Sequence, residues 1–228
     1  MANAYFTNRG KKVILNAYFR ADSSDEPTGF KAALVIEKSN PDKLDNAAAV
    51  DKGGGKVGIP ITGHAYAAGD QIVIDGTTNY DDTYIINSQT TNEIVITETY
   101  VSETFAGTED IWEIPGPDTN ILADLDEVAV GNGYNAGGKA IARTAVGFDV
   151  ITEDDDNDLG KIQLADVEWL ASGGPIPSDS VGARFLLLLD DAATPNVLCW
   201  WDLLSSRVVS DGQTLRFQDA EVQAVTAS

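Results

Sequence analysis

His64 is the single histidine of the chain and Cys199 its single cysteine, and together they bound the chemistry that 228 residues can carry. One histidine excludes a two-histidine zinc motif. As a general base His64 has no serine or cysteine partner in a recognisable motif, and it lies in a turn-rich stretch remote in sequence from the apolar run that holds Cys199, so a turn-stabilising role fits it better than a catalytic one. Cys199 has no disulfide partner within the chain. The densest acidic run, Glu153-Asp154-Asp155-Asp156-Asn157-Asp158, offers hard oxygen ligands, and calcium at the Asp154–Asp158 loop is the one cofactor the sequence suggests. Yet Leu159 and Ala165 stand where an EF-hand counted from Asp154 places glycine and glutamate, so a solvated hairpin loop is the plainer reading. Gly137-Gly138-Lys139 enters a strand and lacks the spacing of a phosphate-cradling loop. With 36 acids in the chain, a pair of carboxylates spaced for glycoside hydrolysis is uninformative. The sequence predicts a protein that is not an enzyme and holds no catalytic or metal centre beyond that calcium option.

The residues suited to recognition are aromatic and basic. Trp200 and Trp201 are adjacent, so on a strand they point to opposite faces: one belongs in a core, and the other is available to anchor a partner. They sit in the second arm of a hairpin whose first arm, Arg184 to Asp190, is an almost unbroken apolar run, with Ala192 to Asn196 as the turn. Apolar residues on both faces of Leu186 to Leu189 predict a homo-oligomer, a trimer among the options. The segment Thr214 to Gln218 alternates apolar and polar with period two, as a half-buried strand does. A strand covered on both faces beside one covered on a single face is what a two-layer β structure contains.

Charge divides the chain unevenly. Fifteen bases against 36 acids give a net charge of −21, which repels phosphate backbones and anionic lipid and argues against nucleic-acid and membrane partners. Up to Arg20, however, there are four bases (Arg9, Lys11, Lys12 and Arg20) and no acid. Val13, Ile14, Ala17 and Tyr18 fall at helical spacing behind Thr7 or Asn8 as an N-cap, predicting one short amphipathic helix over 8–20. Lys11, Lys12 and Arg20 on that helix, with Trp200 and Trp201, form the candidate interface. The first ten residues are not signal-like, and no run approaches the ~20 apolar residues that span a bilayer, so the expectation is synthesis in a cytoplasm.

The elements read as an all-β chain. Phe30, Ala32, Leu34 and Ile36 make a strand with one apolar face. Ser39 to Gly55 reads as a linker, with Asn-Pro, an alanine run and three glycines. Five short strands follow at 57–61, 71–75, 83–86, 93–97 and 110–114, separated by turn signals, and suggest a small inserted barrel over 53–116 with one base, Lys56, against ten acids. The flanking 1–52 and 117–228 then form a discontinuous, jelly-roll-like β-sandwich. Within it Ile121 to Val128 reads as a short helix, Ala140 to Ile151 as a strand, and Lys161 to Trp169 as a strand whose apolar phase changes near Ala165-Asp166, which predicts a bulge.

Gly133-Tyr134-Asn135-Ala136-Gly137-Gly138-Lys139, the segment Val167 to Ile176 with its Ala-Ser-Gly-Gly turn, Ala183-Arg184-Phe185 with Asp190-Asp191-Ala192, and Trp201-Asp202-Leu203 before Val209-Ser210-Asp211-Gly212 together resemble a family of tailed-bacteriophage virion proteins. The resemblance covers most of 8–42 and 118–224, and its motifs are turn and core residues. It implies a non-enzymatic structural protein of the virion, a capsid-bound decoration or head-fibre protein whose partners are the major capsid protein or other virion proteins. The alternative it implies is a tail- or fibre-associated module that binds a host receptor or glycan. Separately, Ile61 to Asp70 followed by Asp75 to Tyr84 is similar to a small barrel found inserted in phage structural proteins and resembling the first catalytic-cysteine half-domain of ubiquitin-activating enzymes. The insert contains no cysteine, so the resemblance implies binding or spacing and no ubiquitin chemistry.

Overall fold

The computed structural model describes residues 5–10, 27–38, 41–154 and 159–225. The chain divides into two compact units, one built from residues 1–37 and 120–228 and the other from Lys38–Thr119. In chain order the strands of the first unit's N-terminal part are β1 (Tyr5–Phe6) and β2 (Phe30–Ile36). The second unit holds β3 (Asp42–Lys43), β4 (Val50–Asp51), β5 (Lys56–Pro60), β6 (Gln71–Asp75), β7 (Asp82–Thr90), β8 (Glu93–Thr97) and β9 (Asp110–Ile114). The first unit resumes with β10 (Lys139–Ile141), β11 (Phe148–Asp154), β12 (Leu159–Leu164), β13 (Val167–Leu170), β14 (Ala183–Asp190), β15 (Val197–Arg207), β16 (Thr214–Phe217) and β17 (Ala220–Val225). The chain is all-β and sandwich-like. Helix begins at Asn8, where Thr7 serves as N-cap: its Oγ1 accepts the Gly10 N–H at 2.8 Å and donates to the Val197 carbonyl at 2.5 Å. The remainder of the predicted helix lies outside the described residues.

In the first unit one layer is the sheet β1-β15-β14-β2-β10. The antiparallel β14–β15 hairpin is its centre, with Leu186 opposite Trp201 and Leu188 opposite Cys199. Alternation sends Ala32, Leu34, Leu186, Leu188, Cys199 and Trp201 into one core, which they share with Leu164, Trp169 and Phe217 of the facing layer. That layer is β11-β12-β17 together with β13-β16. The phase change read near Ala165 is present, since Leu164, Val167 and Trp169 are all buried, but it is not a bulge. Leu164 lies opposite Ala220 and Val167 opposite Phe217, so two residues intervene on each strand and neither carries an extra one. Both strands break together, with Asp219 at φ 54°, and register survives while both apolar faces flip.

The outer face of the five-stranded sheet is buried as well: Ala33, Val35, Leu187 and Leu189 are each at most 1% exposed. Part of the cover is the segment predicted as a helix at 121–128. It forms only a 3-10 turn at Leu122–Asp124. Asn120 accepts the Val197 N–H at 2.9 Å and Leu122 donates to Pro195 at 3.1 Å, whereas further on Asp126 accepts from Ile36 at 3.1 Å and Val128 donates to Leu34 at 3.0 Å. β14 lies between those two anchor points, so the segment crosses it as a strap on the face away from the sandwich core, burying Leu122 and Leu125. A segment that spends its backbone groups on two different strands cannot also close helical bonds along its length. The predicted strand at 140–151 is likewise two strands, β10 and β11, separated by a tight turn in which Thr144 accepts from Gly147 and Phe148.

Tyr134 ties the strap to the sheet. Its hydroxyl, buried with the ring, accepts the Leu34 N–H at 2.9 Å and donates to Glu127 Oε1 at 2.7 Å, and the same Glu127 oxygen accepts the Gly137 N–H at 2.8 Å. Burial pushes the phenol well above its ordinary range, so it stays a donor at any working pH. Tyr134→Phe keeps the ring but leaves the Leu34 N–H without its acceptor, and is expected to cost about 1–3 kcal/mol in urea unfolding. A loss below about 0.5 kcal/mol would mean that this network does not tie strap to sheet.

The second unit corrects the insert's boundaries. The stretch read as a linker is part of the barrel: β3 pairs with β9 and β4 with β5, and Leu44 and Ala49 are buried in the unit's core. β9-β6-β7-β8-β5 run side by side, and the ten residues 42–51 join the free side of β9 to the free side of β5. The sheet closes through them, which removes its edges. The barrel therefore has its five full strands as expected, plus a closing segment of two-residue strands. Ile59, Ile72, Ile74, Ile86, Ile94 and Ile96 fill it.

Candidate functional site

Both tryptophans of the predicted interface are buried: Trp201 is 0% exposed and Trp200 7%. The expectation that one would be free for a partner is corrected, because the sheet that carries them is covered on both faces within the chain. The oligomer reading that rested on a second bare apolar face loses that premise. Trp201 Nε1 donates to the Glu221 carbonyl at 3.0 Å, linking the central sheet to β17. Lys11, Lys12 and Arg20 lie outside the described residues, as do Asp155 to Asp158 of the acidic loop.

Cys199 is fully buried and burial pushes its thiol up, away from the reactive thiolate. His64 belongs to the other unit, where its Nε2–H donates to the Thr90 carbonyl at 2.8 Å and its ring stacks on Tyr66 with centroids 5.6 Å apart. This holds the β5–β6 loop against the β7–β8 turn.

The motif residues also serve turns and strand ends. Asn132, at φ 53°, donates from Nδ2 to the Pro175 carbonyl at 2.8 Å, joining the Gly-Tyr turn to the Ala-Ser-Gly-Gly turn. Asp190 accepts the Asn196 N–H at 2.8 Å and closes the β14–β15 hairpin. Asp202 takes Arg184 in a bidentate pair, Nε–Oδ1 at 2.7 Å and Nη2–Oδ2 at 2.9 Å, and also accepts the Leu204 N–H at 2.7 Å. Burial pushes the Asp202 carboxyl up, but Arg184 and that N–H outweigh it and hold it below the usual range. The pair sits where β15 bulges, between Phe185 opposite Asp202 and Ala183 opposite Arg207, and there Leu204 takes φ 64°.

In the barrel, four lysines face fourteen acids. Lys38 bridges Asp110 at 2.6 Å and Asp75 at 3.3 Å with its ammonium 4.4 Å from the Trp112 ring centroid, Lys43 also pairs with Asp110, and Lys52 pairs with Glu93 at 2.7 Å. Three of the four cations are thus engaged by acids of their own unit, and the remaining carboxylates give the barrel a strongly negative surface.

One concave site stands out in the sandwich unit, and sequence reasoning missed it. A cleft of about 480 Å³ opens between the two layers, walled by Phe6, Phe30, Phe148, Ile162, Leu188 and Val222, with Arg143, Lys161 and Thr152 among the residues around it. Phe30 and Phe148 meet edge to face at 5.2 Å and both remain partly exposed. Arg143 Nη1 donates to the Pro27 carbonyl at 2.9 Å. The lining comes from seven strands spread over more than two hundred residues, so no local spacing could announce the site.

Comparisons with protein-family profiles, with curated proteins and with solved structures gave no match to this chain.

Proposed function

We propose that the chain is a non-enzymatic structural protein of a tailed-phage virion, most simply a capsid-bound decoration or head-fibre protein. The observation that supports this reading best is the use to which the resemblance-bearing residues are put. Gly133 to Gly138, Pro175 (held through its carbonyl by Asn132, just outside the motif), Asp190 and the Arg184–Asp202 pair all shape turns, hairpins and strand ends of the framework. Such a framework presents preformed surfaces, and binding to a lattice then proceeds by burying area with little ordering cost. In this reading the basic N-terminal segment docks on the particle and the acidic barrel faces solvent.

The barrel's standing as a separate compact unit favours a second reading, in which it contacts a host receptor or glycan from a tail or fibre. Removing it separates the two. Among the described residues, none from 38–119 belongs to the sandwich core. The chain leaves at the Ala183 end of β2 and returns beside Val197, near the opposite end of that strand, points about 20 Å apart at the rise of a β-strand. Replacing 38–119 by about ten Gly/Ser residues spans this distance and is expected to leave the sandwich folded. Phage carrying that variant should incorporate it and adsorb normally if the protein decorates the capsid. Incorporation with loss of adsorption would move the assignment to receptor binding, and loss of incorporation would place the docking surface on the barrel.

A further inference from the structure

We draw no further inference here: the strongest candidate, the surface groove of the sandwich unit between the bulged end of β15 and β16, lined in part by the exposed Leu204, carries nothing because nothing in the structure shows what covers it.

Discussion

Trp201→Ala is expected to cost the sandwich about 3–5 kcal/mol, a large part of the 5–15 kcal/mol typical of a whole domain. The indole is fully buried between Leu186 on its own sheet and the facing layer, and its N–H is the donor for the Glu221 carbonyl. Truncation opens a cavity and leaves that carbonyl unpaired, two losses that add. Trp201→Phe keeps most of the volume and loses the donor, so it should recover more than half of the effect. The readout is the urea midpoint at unchanged slope. Trp200→Ala, on the other face, should also destabilise, and it should leave the oligomeric state as it was because the ring is covered within the chain. A Trp201→Ala loss under about 1 kcal/mol would mean that the two layers do not pack as described.

The second large effect is at neighbouring glycines. Gly137 and Gly138 both sit at positive φ, 76° and 78°. At Gly137 an added Cβ meets nothing within 4 Å, so Gly137→Ala should cost about 1–2 kcal/mol, the penalty of the left-handed conformation alone. At Gly138 the same atom would lie 2.0 Å from the Ala32 carbonyl oxygen, which belongs to the central sheet. Backbone cannot rotate aside as a side chain does, so Gly138→Ala should cost that penalty plus about 1–3 kcal/mol of displacement. Equal midpoints for the two variants would show that the Gly-Gly turn does not press on β2.

What the sequence made legible follows from what leaves a period. The β14–β15 hairpin and β16 were readable because continuous and alternating apolar runs are direct images of two-sided and one-sided burial. The phase change near Ala165 was readable too, but not its cause, because a break shared by paired strands and a bulge in one look alike along a single strand. Asp42–Asp51 was invisible as structure: strands of two residues cannot show a period, and an Ala-rich stretch between Asn40-Pro41 and three glycines is what a linker looks like. The strap was misread as a helix since Ile121, Leu122, Leu125 and Val128 have helical spacing, whereas the backbone bonds that hold it go to partners distant in sequence. Trp200 shows the same limit. Alternation correctly placed it opposite Trp201, and only tertiary structure could show that the opposite face is also covered. The cleft, assembled from seven strands, left no local signature at all.

Binding of the purified protein to isolated capsids and to isolated tails, compared at low and high salt, tests the proposed function most directly. The predicted result is saturable binding to capsids that weakens in salt, because the basic segment up to Arg20 is set against an otherwise acidic chain. Binding to tails alone would transfer the assignment to the tail or fibre, and binding to neither particle would contradict a structural role on the virion.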